Sequence, residues 1–451
     1  MTEIIESITQ TNKTIKIQDN KGRNEQNKLT TQQNKTLNIL SIGTFFEYFD
    51  LMLYIHMAVL LNELFFPKTD KHTAQLLDAF TFCSTFVFRP IGALIIGYIG
   101  DKWGRKVAVI ITTALMALSC VAMALVPTYG QIGIMASWIV IGCRIMQGMS
   151  SMGEIVGAEL YMTESTKPPV QYFATSMLIV FCSLGTVGAL SVAHFISYND
   201  FNWRYAFWAG AFISLVSFAA RNSLTESEEF AYAKRKMNKN YADSEEKKQG
   251  HEINNYETNN NVDKKTVLAL FFLQCAHPVW LYLKYIYIGG ILRGSFDFSS
   301  ADIISRNLFI SIVEFLVCLF ITTLSLRIYP LKILKFSFYI ISAGIFAFFA
   351  FFANPITAPL LLVAQLFIAL FGVTTVPATS IFLKYFPVLK RFTYIYLIYA
   401  ISRSVMYIVT SFGLVYLVKE FGYIGIMGVV VPTLILYRWG LWHFEKLEKM
   451  A

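Results

Sequence analysis

Apolar positions in this chain gather into runs much longer than a helical turn. A segment of about 20 mainly apolar residues is needed to cross a hydrocarbon core. Such runs fall at 37–61, 74–99, 105–126, 131–160, 170–197 and 203–220, and again at 266–291, 303–325, 331–353, 356–383, 392–418 and 421–440. They predict an all-α integral membrane protein with 12 transmembrane helices. Polar stretches divide the chain. Residues 1–36 are rich in Asn, Gln, Lys and Thr, lack the apolar core of a signal peptide and read as a disordered tail. Residues 221–265 form a charged, Asn-rich linker, and 441–451 a second tail. The expected organisation is therefore two six-helix halves, 37–220 and 266–440. Internal duplication of this kind is common in secondary transporters.

Composition agrees with the pattern. Only 15% of residues are charged and the mean hydropathy is +0.51, whereas soluble domains carry about 25% charge. The formal charge of +9 does not point to nucleic acid, because its position explains it. With the N-terminus inside, about 28 of the 38 Lys and Arg fall in cytoplasmic segments. The opposite loops hold about five, Lys68, Lys71, Arg204, Arg293 and Lys419. Both termini are thus expected to be cytoplasmic. Abundant Lys, Asn, Ile and Phe suggest an AT-rich genome, and a multi-pass protein of a bacterial inner membrane. Cys83, Cys120, Cys143, Cys182, Cys275 and Cys318 all lie in predicted spans, where they read as small packing residues and not as a disulfide or zinc framework.

Intramembrane charges are the candidate chemistry, since they are costly and face partners or cavities. Glu47 and Asp50 lie three residues apart on one helix face. Burial and mutual repulsion favour proton uptake by such a pair; a structural ion pair with Arg89 or Arg144 is the other reading. Arg89, before Pro90, can hold a substrate carboxylate bidentately or pin Glu47 or Asp50. Lys284, Glu314 and Arg403 are further cavity charges. His56, His194 and His277 can titrate near neutrality, although membrane histidines mostly serve packing. The small residues Gly148, Ser150, Ser151, Gly153, Gly157 and Ala158, and the pair Gly185 and Gly188, suit close helix packing. Trp203 and Tyr205 fit an interfacial aromatic belt.

A charged turn follows the second run, Gly97-x-x-Gly100-Asp101-Lys102-x-Gly104-Arg105-Lys106. It resembles the loop between the second and third helices of major facilitator superfamily transporters, G-x-x-x-D-[RK]-x-G-R-[RK]. Arg144-x-x-Gln147-Gly148 resembles the fourth-helix signature of proton-coupled members. EYFDLMLY, RIMQGMSSMGE, NWRYAFW and RNSLTESEEF then occur in order. Together they are similar to the metabolite:proton symporter branch, whose members carry proline and betaine, 2-oxoglutarate, citrate or shikimate. The bacterial proline/betaine type is the nearest likeness. The resemblance covers residues 40–230 well. It implies the major facilitator fold, and a cytoplasmic gate of Gly97, Asp101, Gly104, Arg105, Lys106, Glu154 and Glu164, the last two pairing with Arg105. The second half matches more loosely through Val376-Pro377-Ala378, Phe386-Pro387 and Arg391-Phe392-Thr393. Pro377 is expected to kink the tenth span. Where the family has Tyr-Asn-x-Gly, this chain has Tyr399-Ala400-Ile401-Ser402 and then Arg403. The turn 324–332 lacks the aspartate and glycines of the opening motif, so an asymmetric gate is expected.

The implied function is secondary active import of a small zwitterion or carboxylate, with a proton as coupling ion, no cofactor and no metal. Expected partners are the solute and the lipid bilayer, with no nucleic acid, and the protein is expected to act as a monomer. A uniporter, exchanger or effluxer on the same fold, and a non-transporting osmosensor or receptor, are the alternatives. An enzyme is disfavoured: the sequence has no nucleophile–base pattern, phosphate loop or H-E-x-x-H motif. Arg89 and Arg144 suit a carboxylate, and aromatic walls suit a quaternary ammonium.

Overall fold

The computed structural model describes residues 26–67, 83–199, 201–221, 262–351 and 357–449. Most of the expected tail, residues 68–82 and most of the linker lie outside the described residues. Helix α1 is Thr31–Phe65, α2 Arg89–Lys102, α3 Arg105–Leu125, α4 Ile134–Ser165, α5 Val170–Tyr198 and α6 Arg204–Arg221. In the second part of the chain, α7 is Lys264–Leu281, α8 Ser300–Leu324, α9 Pro330–Phe351, α10 Ala358–Phe371, α11 Val388–Phe421 and α12 Met427–Leu447. No strand occurs among the described residues.

Helix ends follow local chemistry. Pro90 sits in the first turn of α2, where its missing N–H costs nothing. Ser299 and Asp302 form a capping box on α8, and Asp263 caps α7. Gly104 starts α3 with φ of 117°, a backbone conformation that glycine adopts without strain. α1 begins inside the stretch whose composition reads as tail. Gln26 there donates its backbone N–H to the Pro168 carbonyl (2.8 Å), and Gln33 donates to the Ser165 carbonyl (2.5 Å). These amides meet backbone acceptors at and just past the end of α4 that helix geometry leaves unpaired.

Two expected spans are not uniform helices. α7 passes through a π-helical stretch, Tyr282–Tyr287, before a last α-helical piece, Ile288–Phe296. The tenth run is broken, not kinked. α10 stops at Phe371, residues 372–378 are irregular, and a short helix resumes at Thr379–Leu383. Pro377 cannot donate to a helical ladder and restricts Val376 before it.

Among the described residues, six segments are long and apolar enough to cross a membrane: Cys83–Lys102, Lys106–Leu125, Val170–Tyr198, Lys264–Phe296, Ser300–Leu324 and Val388–Leu447. α1 and α4 are not among them; they hold Glu47, Asp50, Arg144 and Glu159 in the interior. The interior holds large apolar side chains such as Phe207, Phe382 and Phe386 as well as charged ones, and α2 shows the contrast between its two faces. On α2, Ile91, Leu94, Ile95 and Tyr98 are exposed, whereas Arg89, Gly92, Ala93, Gly97 and Gly100 are buried.

α1 packs mainly on α5, α3 on α4 and α6, and α7 on α12 and α11. Helices of the earlier and later parts meet chiefly as α2 on α11 and α5 on α8. At the end of the bundle that carries Asp101, α11 also packs on α4, and Thr379–Leu383 on α4 and α5. A Cβ on Gly148 would stand 1.8 Å from the Thr85 carbonyl oxygen, so only glycine admits that approach. Gly148→Ala is expected to lower stability by about 1–3 kcal/mol, read as earlier thermal unfolding of the purified protein. Gly142→Ala, with open space around the new carbon, is the matched control and should leave unfolding unchanged or move it slightly upward, because alanine is the better helix former.

Candidate functional site

Asp50 lies fully buried on α1 and is held from two sides. Gln147 Nε2 on α4 donates to Oδ2 (2.8 Å), and Cys120 Sγ on α3 donates to Oδ1 (2.8 Å). Gln147 in turn accepts from Arg144 Nη1 (2.7 Å). The Arg144 guanidinium stacks 3.8 Å above the Tyr54 ring. Carboxylate and guanidinium are therefore joined through one amide rather than directly. Cys120 is more than a packing residue here, since its thiol belongs to the carboxylate's shell.

A second group gathers where α1, α2, α4, α7 and α11 meet. Arg89 is buried on α2, 4.3 Å over the Phe86 ring. Its Nε and Nη2 have no hydrogen-bond partner among the described residues. Glu47, Tyr48, Tyr407 and Arg403 act on it electrostatically. Arg403 on α11 lies 3.5 Å over the Tyr399 ring and donates from Nη1 to Gln274 on α7 (3.3 Å). Arg403 also acts on Glu159, a buried residue of α4. His277 senses Arg403, Lys284 and Arg89. The structure thus separates two residues that share a helix face: Asp50 joins the α3–α4 network and Glu47 the interhelical one.

Lys284 and Glu314 form an ion pair between α7 and α8, and Tyr285 donates its hydroxyl to the same Glu314 oxygen (2.8 Å). The pair sits beside the π-helical turn, where the Lys284 carbonyl accepts from Gln365 Nε2 (2.7 Å). His56 meets the Tyr285 ring edge-on, and His194 bonds Ser305 (2.9 Å). A cavity of about 80 Å³ between α7, α9, α10 and α12 is lined only by apolar groups, including Trp280, Ile345, Phe367 and Val430. It touches none of these charges.

At the Asp101 end, Oδ2 of Asp101 accepts from both the backbone N–H (2.9 Å) and the hydroxyl (2.5 Å) of Thr393 on α11. Carbons added at Gly97 and Gly100 would crowd Thr393 and Phe392 at about 3 Å. Glu164 on α4 meets Arg391 on α11 at 3.3 Å, and Arg391 Nε also donates to the Phe386 carbonyl (3.0 Å). The family resemblance implies a pairing of Glu164 with Arg105; Arg391 is a partner that the resemblance does not supply. The side chains of Arg105 and Glu154 lie outside the described residues. Lys106 is half-buried at the start of α3.

The turn that lacks its aspartate in the second part of the chain is served by Glu448. This carboxylate accepts from Tyr329 (2.5 Å) and Tyr385 and pairs with Lys384 (2.7 Å). Burial raises its pKa, but Lys384 and the two hydroxyls outweigh that and hold it below the ordinary glutamate value. Tyr329 also meets Tyr172 of α5 edge-on.

Glu159, Gln274 and Glu448 were not reached from the sequence. Glu159 had a signal: it follows Gly148 by eleven residues and so shares its helix face.

Among the described residues the chain is an all-helical bundle with six segments able to cross a membrane, charges buried between its helices and a charged turn packed on α11 at one end. The sequence profile of the Major Facilitator Superfamily matches residues 40–411, and the chain belongs to that family, which comprises transporters and not enzymes. It is 30% identical to the proline/betaine transporters of Escherichia coli (strain K12) and Salmonella typhimurium over 203 residues. That stretch is 44% of this chain and 41% of each relative, so less than half of either relative is matched. The proton:xylose symporter XylE of E. coli superposes with a TM-score of 0.72 at 14% identity, covering 93% of this chain and 96% of XylE. This likeness concerns the fold.

Glu164→Gln and Arg391→Gln are each expected to unfold at lower temperature. The double variant should be no less stable than the worse single one, a coupling of about 1 kcal/mol or more. Simple additivity of the two losses in thermal unfolding of the purified protein would show that the pair is not coupled.

Proposed function

We propose that the chain is a proton symporter that imports a small zwitterionic or carboxylate solute by alternating access. It would cross a bacterial inner membrane with twelve helices in two six-helix halves and cytoplasmic termini, act as a monomer and need no cofactor. The observation that carries this is the buried Asp50–Gln147–Arg144 relay beside an interhelical group with unfilled donors. Ionised Asp50 anchors Gln147 and, through it, Arg144. A proton on Asp50 removes the charge that holds Gln147, so the relay slackens. Helix packing around α1, α3 and α4 then depends on protonation, which is the differential binding that coupling requires. The unfilled Nε and Nη2 of Arg89 form one edge of its guanidinium, suited to a carboxylate through two parallel bonds. The names of the matched transporters support this solute class.

The positive-inside count supports a cytoplasmic Asp101 end. The closed contacts Asp101–Thr393 and Glu164–Arg391 then bar exit to the cytoplasm until the halves rock apart. Arg105, Lys106 and Glu154 would complete this gate.

Uptake into proteoliposomes tests the coupling. Asp50→Asn is expected to abolish accumulation driven by an imposed pH gradient while leaving counterflow exchange, with Glu47→Gln as the parallel variant. Unaltered gradient-driven uptake in both would falsify the proton role. Asp101→Asn is expected to slow transport several-fold while solute affinity stays within about twofold, because it loosens the gate and not the site. An equal loss of affinity, measured by binding to the purified protein, would remove Asp101 from gating.

A further inference from the structure

The neighbours of Asp50 treat its two oxygens differently. Oδ2 accepts from Gln147 Nε2 (2.8 Å), and the Gln147 oxygen accepts from Arg144 (2.7 Å). Arginine carries donors only, so the Gln147 oxygen must face Arg144 and its N–H must face Asp50. That bond cannot reverse. Oδ1 accepts from the Cys120 thiol on α3 (2.8 Å). A thiol is both a weak donor and a weak acceptor, so this bond can reverse. Ser214 Oγ on α6 lies 3.9 Å from the same sulfur and offers the thiol hydrogen a second acceptor.

Cys120 and Gln147 are the hydrogen-bond donors to this carboxylate among the described residues. A Cβ on Gly210 would stand 3.5 Å from Oδ1, so α6 covers that oxygen with a residue that has no side chain. Other titratable groups are placed elsewhere or reach Asp50 only by charge. From α4, Arg144 acts on Asp50, and Asp50 acts on Cys143. Glu47 on α1 acts on Arg89 and Tyr48. On α5, Cys182 senses Glu47 and His194 bonds Ser305. On α7, Tyr285 meets His56. Arg204 and Arg221 lie at the ends of α6.

We propose that Cys120 positions the coupling proton: its thiol holds ionised Asp50 at Oδ1, and on protonation the bond reverses, so that the proton rests on Oδ1 and the thiol hydrogen turns to Ser214. This rests on the proton role of Asp50 proposed above and assigns that proton to one oxygen. The proton comes from water, and no bond between heavy atoms changes. The new Oδ1–H donates to Sγ, while Oδ2 stays an acceptor for Gln147. Loss of the negative charge weakens the Gln147 bond. Alanine at position 120 would leave the ionised oxygen buried without a donor and so favour the protonated form.

Infrared spectroscopy of the purified full-length protein in lipid reads the thiol directly. The S–H stretch that disappears in Cys120→Ser belongs to Cys120. It is expected to rise in frequency as the pH falls, because the thiol exchanges an anionic acceptor for a neutral one, and to be independent of pH in Asp50→Asn. A pH-independent wild-type band overturns the proposal. Proline counterflow in proteoliposomes, run at equal pH on both sides, reads the proton on Asp50. Its wild-type rate is expected to fall as the pH rises through one midpoint. Cys120→Ala is expected to move that midpoint up by about half a pH unit or more. Cys120→Ser, whose hydroxyl both donates and accepts, is expected to recover most of the shift. An unmoved midpoint in Cys120→Ala, or an equal shift in both variants, overturns the role of Cys120 and leaves that of Asp50. If Asp50→Asn keeps the wild-type midpoint, another group couples the proton, and the roles of Asp50 and Cys120 fall together. If Cys120→Ala does not accumulate, or proline is not exchanged, the infrared titration decides alone.

Discussion

Burying charge where water is scarce is the constraint on which the rest of this structure depends. A lone ionised side chain at membrane depth is costly, yet the interior holds Glu47, Asp50, Glu159, Arg89, Arg144, Lys284 and Arg403. They are tolerable because they are distributed. Asp50 shares an amide with Arg144, Lys284 pairs with Glu314, and the guanidinium groups lie on aromatic faces. The relay, the Lys284–Glu314 pair and the stacking of Arg144 on Tyr54 each join two or more helices, whereas Arg403 covers Tyr399 within α11 and reaches α7 through Gln274. The charges therefore fix which helices neighbour one another, while the apolar exterior of α2 and its counterparts fits the lipid.

Charge placement also divides the labour along the bundle. Contacts at the Asp101 end are hydrogen bonds and an ion pair between α2 or α4 and α11, short enough to hold and few enough to break. The centre also holds charged atoms with no hydrogen-bond partner among the described residues. The proposed gate needs the first kind and the proposed site the second. Gly97 and Gly100 make the first kind possible by letting α2 lie against Thr393 and Phe392.

Much of this was legible in the sequence, for physical reasons. Apolar runs report helices because a backbone in lipid must satisfy its own hydrogen bonds. The Asp101 turn was recognisable because glycine spacing and charge recur there together. Partner identity was not legible. Glu164 meets Arg391, more than two hundred residues away, and spacing cannot reveal such a neighbour. Glu159 sits on a countable register of α4 but outside the motif that ends at Glu154. Glu448 was out of reach for another reason: it serves, from the far end of α12, a turn that had lost its own aspartate.

The interruption in the tenth run has a mechanical consequence. A continuous helix moves as a rod, so displacement at one end is carried to the other. With residues 372–378 irregular, Ala358–Phe371 and Thr379–Leu383 are two levers joined by a short tether. The second lever rests on α4 and α5 at the Asp101 end, while the first stays packed against α8 and α9. The hydroxyl of Tyr437 on α12 donates to the Thr374 carbonyl (2.7 Å) and steadies the tether from the side. In the proposed transport cycle the short lever would part from α4 while the longer one keeps its contacts with α8 and α9.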